Sequence, residues 1–250
     1  MGNMNDTQRS EIVCTKQQRI AQIAREHPNE KLTALNHYLD IPWLEEAFQR
    51  LRKDSAPGVD GQTVAEYEKH LESNLKDLLS RAKDGSYQAP PVKRVYIPKG
   101  DDPKETRPIG IPTTENKVLE RGVVMILEPI YEEEFRNFSY GFRPGRSCHQ
   151  ALSAFWEQAS GMGVQWVLEV DIRKYFDSVV WSNLMEIVGK RIGDGVSAPW
   201  KGAELQWESN KPTRQLTLQP VAAEANMEAM KCFEALGAKG PEVGQRANRS

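Results

Sequence analysis

Residues 164–170 read VQWVLEV, with Val164, Trp166, Leu168 and Val170 alternating against Gln165, Val167 and Glu169. A period of two is that of an extended chain whose successive side chains face opposite ways, so this stretch is predicted to be a β-strand. It runs straight into Asp171. A carboxylate at the end of an apolar strand is reachable by ligands while the strand stays rigid, and a hard oxygen donor of this kind suits Mg²⁺. Phe176, five residues on, is an aromatic able to stack beneath a ribose and exclude a 2′-hydroxyl. The competing reading is that Asp171 and Asp177 only cap or turn the chain. Two-metal phosphoryl transfer takes further carboxylates, and after Asp177 the only aspartate is Asp194.

The 250 residues suffice for one large domain or two small ones, and 39% hydrophobic with 27% charged residues is ordinary for a soluble protein with a core. A net charge of −2 provides no global basic footprint, so any nucleic-acid contact must rest on local patches. Cys14, Cys148 and Cys232 are odd in number and far apart, which implies neither a disulfide frame nor a structural zinc site and fits a reducing cytoplasm. His27, His37, His70 and His149 lack metal-ligand spacing. No apolar run is long enough for a membrane span, and no secretory leader is expected.

Residues 5–53 favour helix, with Leu44, Phe48 and Leu51 on one face and Pro42 near a start. The loop KDSAPGVDGQT follows. Thr63 and Glu66 form a capping-box pattern, predicting one helix through Leu71, Leu75, Leu78 and Leu79 that stops near Gly85. Val92–Pro98 and Arg107–Pro112 are predicted strands of a hairpin around the turn-rich KGDDPKET, in which Asp101 and Asp102 are read as a solvated turn. Thr114 is predicted to cap a helix to about Phe135, and Ser147 another with Ala151, Leu152, Phe155 and Trp156 on one face. A short helix is expected over 182–192, ending at Gly193. From Gly195 the composition changes to turn-formers and polar residues, with one plausible helix over 221–236, and 193–250 is expected to be poorly ordered.

The hairpin carries Lys99 on one arm and Arg107 on the other, which suits phosphate binding, Arg as a planar fork and Lys as a point charge. Exposed basic residues on a hairpin are also ordinary solvated surface. The segment FRNFSYGFRPGRSCHQ (135–150) contains three arginines, four aromatics and no acidic residue. Interleaved rings and guanidinium groups suit stacking on bases and pairing with phosphates. Alternatively Tyr140 and Phe142 fill a core around the Gly-Pro turn, while Arg143 and Arg146, beside Gly141, Pro144 and Gly145, favour a binding role.

In order along the chain, SAPGVDGQT, RVYIPKG with RPIGIPT, LEPIYEEEF with SYGFRPGRS, and VDIRKYFDSV resemble the reverse transcriptases encoded by group II introns, also called maturases, over about 43–192. The resemblance implies an α+β right-hand polymerase fold: a helical N-terminal extension (1–53), fingers and an incomplete palm (54–192), and an unrecognised tail (193–250). It implies RNA-directed DNA synthesis with Mg²⁺, intron RNA and template RNA as partners, a DNA primer and deoxynucleoside triphosphates. By position, Asp171 and the Ile172 carbonyl would bind metal, Asp171 being catalytic. Lys99 and Arg107 would contact the triphosphate and Phe176 would gate the sugar. Gly58, Asp60, Gly61, Arg143 and Arg146 would lie along RNA. The family's Pro-Gln-Gly segment and Tyr-x-Asp-Asp hairpin are not found in the 250 residues. The expected protein is therefore a truncated polymerase, with a non-catalytic RNA-binding fragment or a remnant without function as the alternatives.

Overall fold

The computed structural model describes residues 5–99, 102–170, 172 and 175–193. They form helices α1 (Asp6–Glu26), α2 (Ile41–Gln49), α3 (Val64–Glu68), α4 (Leu71–Asp84), α5 (Thr114–Glu132), α6 (Cys148–Met162), α7 (Tyr175–Ser178) and α8 (Trp181–Arg191). A 3₁₀ turn, Leu35–Tyr38, precedes α2, and strands β1 (Lys93–Lys99) and β2 (Asp102–Ile111) form an antiparallel hairpin. The mixture is α+β.

Helix α5 organises the core because its sequence is apolar on most of its circumference. Val118, Leu119, Val123, Met125, Ile126, Leu127, Ile130 and Tyr131 are all buried. Helices α1 and α2 pack on it, joined by two hydrogen bonds that no local pattern announces. The Trp43 indole donates to the Gly122 carbonyl over 2.8 Å, and the Gln17 amide donates to the Met125 carbonyl over 3.1 Å. A buried indole N–H needs such a partner, and Gly122 leaves room beside it for Leu44 and Leu39, which a Cβ would approach to 3.1 and 3.3 Å. On the rim, the Arg25 guanidinium makes a two-pronged bond to the Glu133 carboxylate at 2.7 and 3.0 Å, lowering the Glu133 pKa chiefly through that hydrogen bond. One hydrophobic cluster runs from Val13 through Phe48, Leu75 and Ile126 to Ile192. Described residues on both sides of position 53 contribute to this cluster.

The far end of the described chain is fastened to the beginning. The Arg191 guanidinium is buried, donates to the carbonyls of Ala24, His27 and Glu30, and pairs with Glu134. Beside it Leu32 N–H donates to Arg191 O at 2.8 Å and Gly193 N–H to Leu32 O at 2.7 Å.

Several expectations hold in detail. Thr63 and Ser147 each make the reciprocal capping box, with Glu66 and Gln150. Gly85 ends α4 at φ +77°, a left-handed conformation that glycine adopts without a Cβ penalty. Other expectations are corrected. The single helix predicted after Thr63 is broken at Lys69–His70 into α3 and α4. The cap of α5 is Thr113, one residue before the one predicted, because its hydroxyl reaches Asn116 N–H. The hairpin is longer than read: Lys99 pairs with Asp102 after a register shift, so Asp102 belongs to β2 rather than to a turn. Asp101 lies outside the described residues, as do 194–250.

The largest correction concerns residues 164–170. They form no strand, and Trp166 and Leu168 are 90% and 83% exposed. A strand exists only when a neighbour takes up its N–H and C=O groups. Among the described residues the sheet contains β1 and β2 alone. Helix α6 shares this condition: no residue of it is buried, and the face with Leu152, Phe155 and Trp156 is open to solvent rather than packed.

Candidate nucleic-acid interface

The first element of the candidate site is the loop 55–62. Gly58 is buried, and a Cβ on it would lie 2.6 Å from Thr113 Cα, 2.7 Å from Thr113 N and 2.9 Å from the Pro112 carbonyl carbon. The loop is thus pressed on the backbone joining β2 to α5, a contact open only to glycine. Two side chains of α5 hold it there. Lys117 Nζ donates to Ala56 O at 2.7 Å and to Ser55 Oγ at 3.3 Å, and Thr114 Oγ1 donates to Gln62 O at 3.1 Å. Partial burial lowers the Lys117 pKa, while Glu120 and Asp60 act in the opposite sense. Gly58 is therefore a packing residue, whereas Val59, Asp60 and Gly61 form the exposed tip of the loop.

A polar cluster on α5 joins Glu120, Asn116 and Tyr87. Burial pushes the Glu120 carboxyl up to about 8, against the opposing pull of the Asn116 amide, which donates to Glu120 Oε1 at 2.6 Å. Asn116 Oδ1 in turn accepts from the Tyr87 hydroxyl at 2.9 Å. Burial also drives the Tyr87 phenol above its ordinary range.

The second element is the hairpin. Arg107 is exposed and stands opposite Ile97, two residues before Lys99, so both basic positions lie toward the same end of the ribbon. The Lys99 side chain lies outside the described residues.

The third element is the segment 135–146 at the other end of α5. Arg143 is 9% exposed and its donors are all turned inward: Nε and Nη2 to Glu132 at 3.0 to 3.3 Å, and Nη1 to the carbonyls of Arg136 and Ser139 at 2.9 Å each. Its guanidinium also covers the Phe135 ring at 4.7 Å. Arg143 is expected from its motif to lie along RNA; in this placement a phosphate reaching it would have to displace a carboxylate and two carbonyls. Arg146 is different. It lies half-buried over the Tyr140 ring at 5.4 Å.

Helix α5 has 19 residues, a length of roughly 28 Å. The Gly58–Gly61 loop and the Arg146 segment stand at its opposite ends, so the structure does not bring them into one pocket; only an extended ligand reaches both. Asp171 lies outside the described residues, as do the side chains of Phe176 and Asp177. Ile172 is exposed, and Phe176 falls within α7. Among the described residues no group of three or more His, Cys, Asp or Glu side chains is placed to hold a metal ion. Among the described residues no helix is long and apolar enough to cross a membrane.

The reverse transcriptase (RNA-dependent DNA polymerase) family matches residues 97–202, a span that takes in most of the hairpin, α5 and the arginine-rich turn but not the 55–62 loop. More particularly, the chain is a relative of the group II intron reverse transcriptases and maturases. It is 36% identical over 199 residues to Protein YkfC of Escherichia coli, covering 76% of this chain and 52% of that protein. It is 35% identical over 180 residues to the group II intron-encoded protein LtrA of Lactococcus lactis, covering 71% of this chain and 29% of that one. A shorter match, 30% over 83 residues, is to nuclear intron maturase 1 of Arabidopsis thaliana mitochondria, covering 33% of this chain and 11% of that protein. The chain thus spans about half the length of the first of these relatives and under a third of the second.

Residues that sequence reasoning missed are Lys117, Glu120 and Arg191. Each is a charged residue within a helix pattern; Lys117 and Arg191 act through partners far away in sequence, whereas Glu120 is bonded by Asn116 four residues earlier and its burial is set by the fold. Only the cap Thr113, three residues before Asn116, left a local signal.

Proposed function

We propose that the chain is the fingers and first palm segment of a group II intron reverse transcriptase, and that in this form it binds RNA without polymerising DNA by itself. The observation that carries the reading is the match of a reverse transcriptase family across the hairpin, the arginine-rich turn and the Asp171 segment. In this reading the N-terminal extension is 1–53, the fingers and partial palm are 54–192, and 193–250 is a tail into whose first ten residues the family match extends. Asp171 is the catalytic carboxylate and a Mg²⁺ ligand, with the Ile172 carbonyl beside it. Arg107 and Lys99 neutralise the incoming triphosphate, and Phe176 checks the sugar. Asp60 and Gly61 at the loop tip and Arg146 at the far end of α5 lie along template or intron RNA, with Gly58 fixing the loop from beneath.

Two measurements test this. The 250-residue chain should bind single-stranded RNA in a salt-sensitive manner, and Arg146→Ala should weaken that binding by about 1–3 kcal/mol. With a primed RNA template and Mg²⁺ the chain alone should incorporate no deoxynucleotide, and addition of the remaining palm of a relative should restore incorporation dependent on Asp171. Robust extension by the chain alone, abolished in Asp171→Ala, refutes the truncated reading.

A further inference from the structure

Phe142 has φ +58° and is 78% exposed. Neither fact is what an isolated phenylalanine prefers. The left-handed region costs an L-residue roughly 1–2 kcal/mol, and glycine occupies it freely. Full exposure also forgoes the burial that normally repays a large ring. The strain is held in place from both sides. Arg143, the next residue, is fixed by Glu132 and by the carbonyls of Arg136 and Ser139. Two residues later Gly145 is also left-handed, at φ +68°. The backbone around Phe142 is thus built on a buried guanidinium, and it drives the ring outward where the sequence alone allows a core position.

The ring has company suited to nucleic acid. Arg146 lies over the Tyr140 ring at 5.4 Å, Phe138 is 52% exposed, and residues 135–150 include no acidic side chain. A projecting ring beside a cation stacked on a second ring is a platform for flat, negatively linked ligands, because every base has a π-face and each phosphate seeks a cation. A protein partner would seat an aromatic anchor in an apolar, desolvated patch. Here the segment carrying the ring has Arg136 and Arg146 and no carboxylate from 135 to 150.

Building on the RNA-binding reading above, we propose that Phe142 is a stacking residue for an unpaired base of bound RNA, with the neighbouring phosphate facing Arg146. The backbone strain at Phe142 is maintained to present the ring.

The test uses Phe142→Gly in the full chain, because its two consequences have opposite signs. Glycine relieves the left-handed strain and removes a side chain that buries little, so the midpoint of thermal unfolding should stay level or rise. Affinity for a fluorescein-labelled single-stranded oligoadenylate of about 20 nucleotides should fall by about fivefold or more, as loss of one stacked base requires. An abasic strand of the same length should bind the original and the variant chain equally. Phe142→Trp should keep the affinity. Unchanged oligoadenylate binding in Phe142→Gly overturns the stacking role while leaving the RNA-binding reading intact. Absence of RNA binding by the unaltered chain overturns both. Unchanged RNA binding together with lost self-association would assign the ring to a protein contact instead.

Discussion

Replacing Arg143 by alanine separates a structural arginine from a binding one. The guanidinium is 9% exposed and satisfies the Glu132 carboxylate and the carbonyls of Arg136 and Ser139. Removal leaves these acceptors without their donor in a partly buried turn. Breaking a buried charge pair by deleting one partner costs about 3–5 kcal/mol. The Glu132 side chain is 27% accessible, so water takes over part of the interaction and the lower end applies. The expected loss is therefore about 3 kcal/mol, a large fraction of the 5–15 kcal/mol typical of a domain. Urea denaturation followed by circular dichroism should show the midpoint falling with little change in slope. Arg143→Lys should recover only part of the loss, since one ammonium cannot span a carboxylate and two diverging carbonyls. Arg146→Ala should leave the midpoint within about 0.5 kcal/mol of the original. If Arg143→Ala proves as stable as Arg146→Ala, the inward bonding described for Arg143 is not what orders the turn.

Gly58→Ala should destabilise by about 1–3 kcal/mol, because its Cβ would meet the backbone of Pro112 and Thr113, whereas Gly61→Ala faces open space and bears only the strain of φ +72°; paired denaturation curves of the two variants check the ranking. Glu120 has a folded pKa of about 8 against an ordinary 4.5, so between those values the folded chain retains a proton that the unfolded chain releases, and its contribution to stability declines as pH rises from about 4.5 to 8. Glu120→Gln should therefore gain at least about 1 kcal/mol over the original at pH 8 and nothing at pH 4, measured by urea midpoints across the range. Trp156→Lys on α6 should change stability by less than about 0.5 kcal/mol, because the ring is 72% exposed, and should reduce aggregation in light scattering.

What the sequence determined by itself is what neighbours in sequence can settle. Thr63 with Glu66 and Ser147 with Gln150 close their capping boxes over three residues, Gly85 ends α4 by a conformation of its own, and the paired runs around 93–111 make a hairpin. The motif order from Ser55 to Val179 also identified the family. Tertiary structure decided which of these pieces face inward. Arg143 and Arg146 are three residues apart in one glycine-rich turn, yet one is enclosed by Glu132 and two carbonyls and the other lies over a tyrosine ring. Gly58 looked like part of a binding loop and is a packing surface, since Thr113 reaches it from across the fold. The alternation at 164–170 expresses a strand's side-chain pattern, but the backbone hydrogen bonds of a strand belong to two segments at once. Periodicity specifies one of them, and only a neighbour at the right place in space supplies the other.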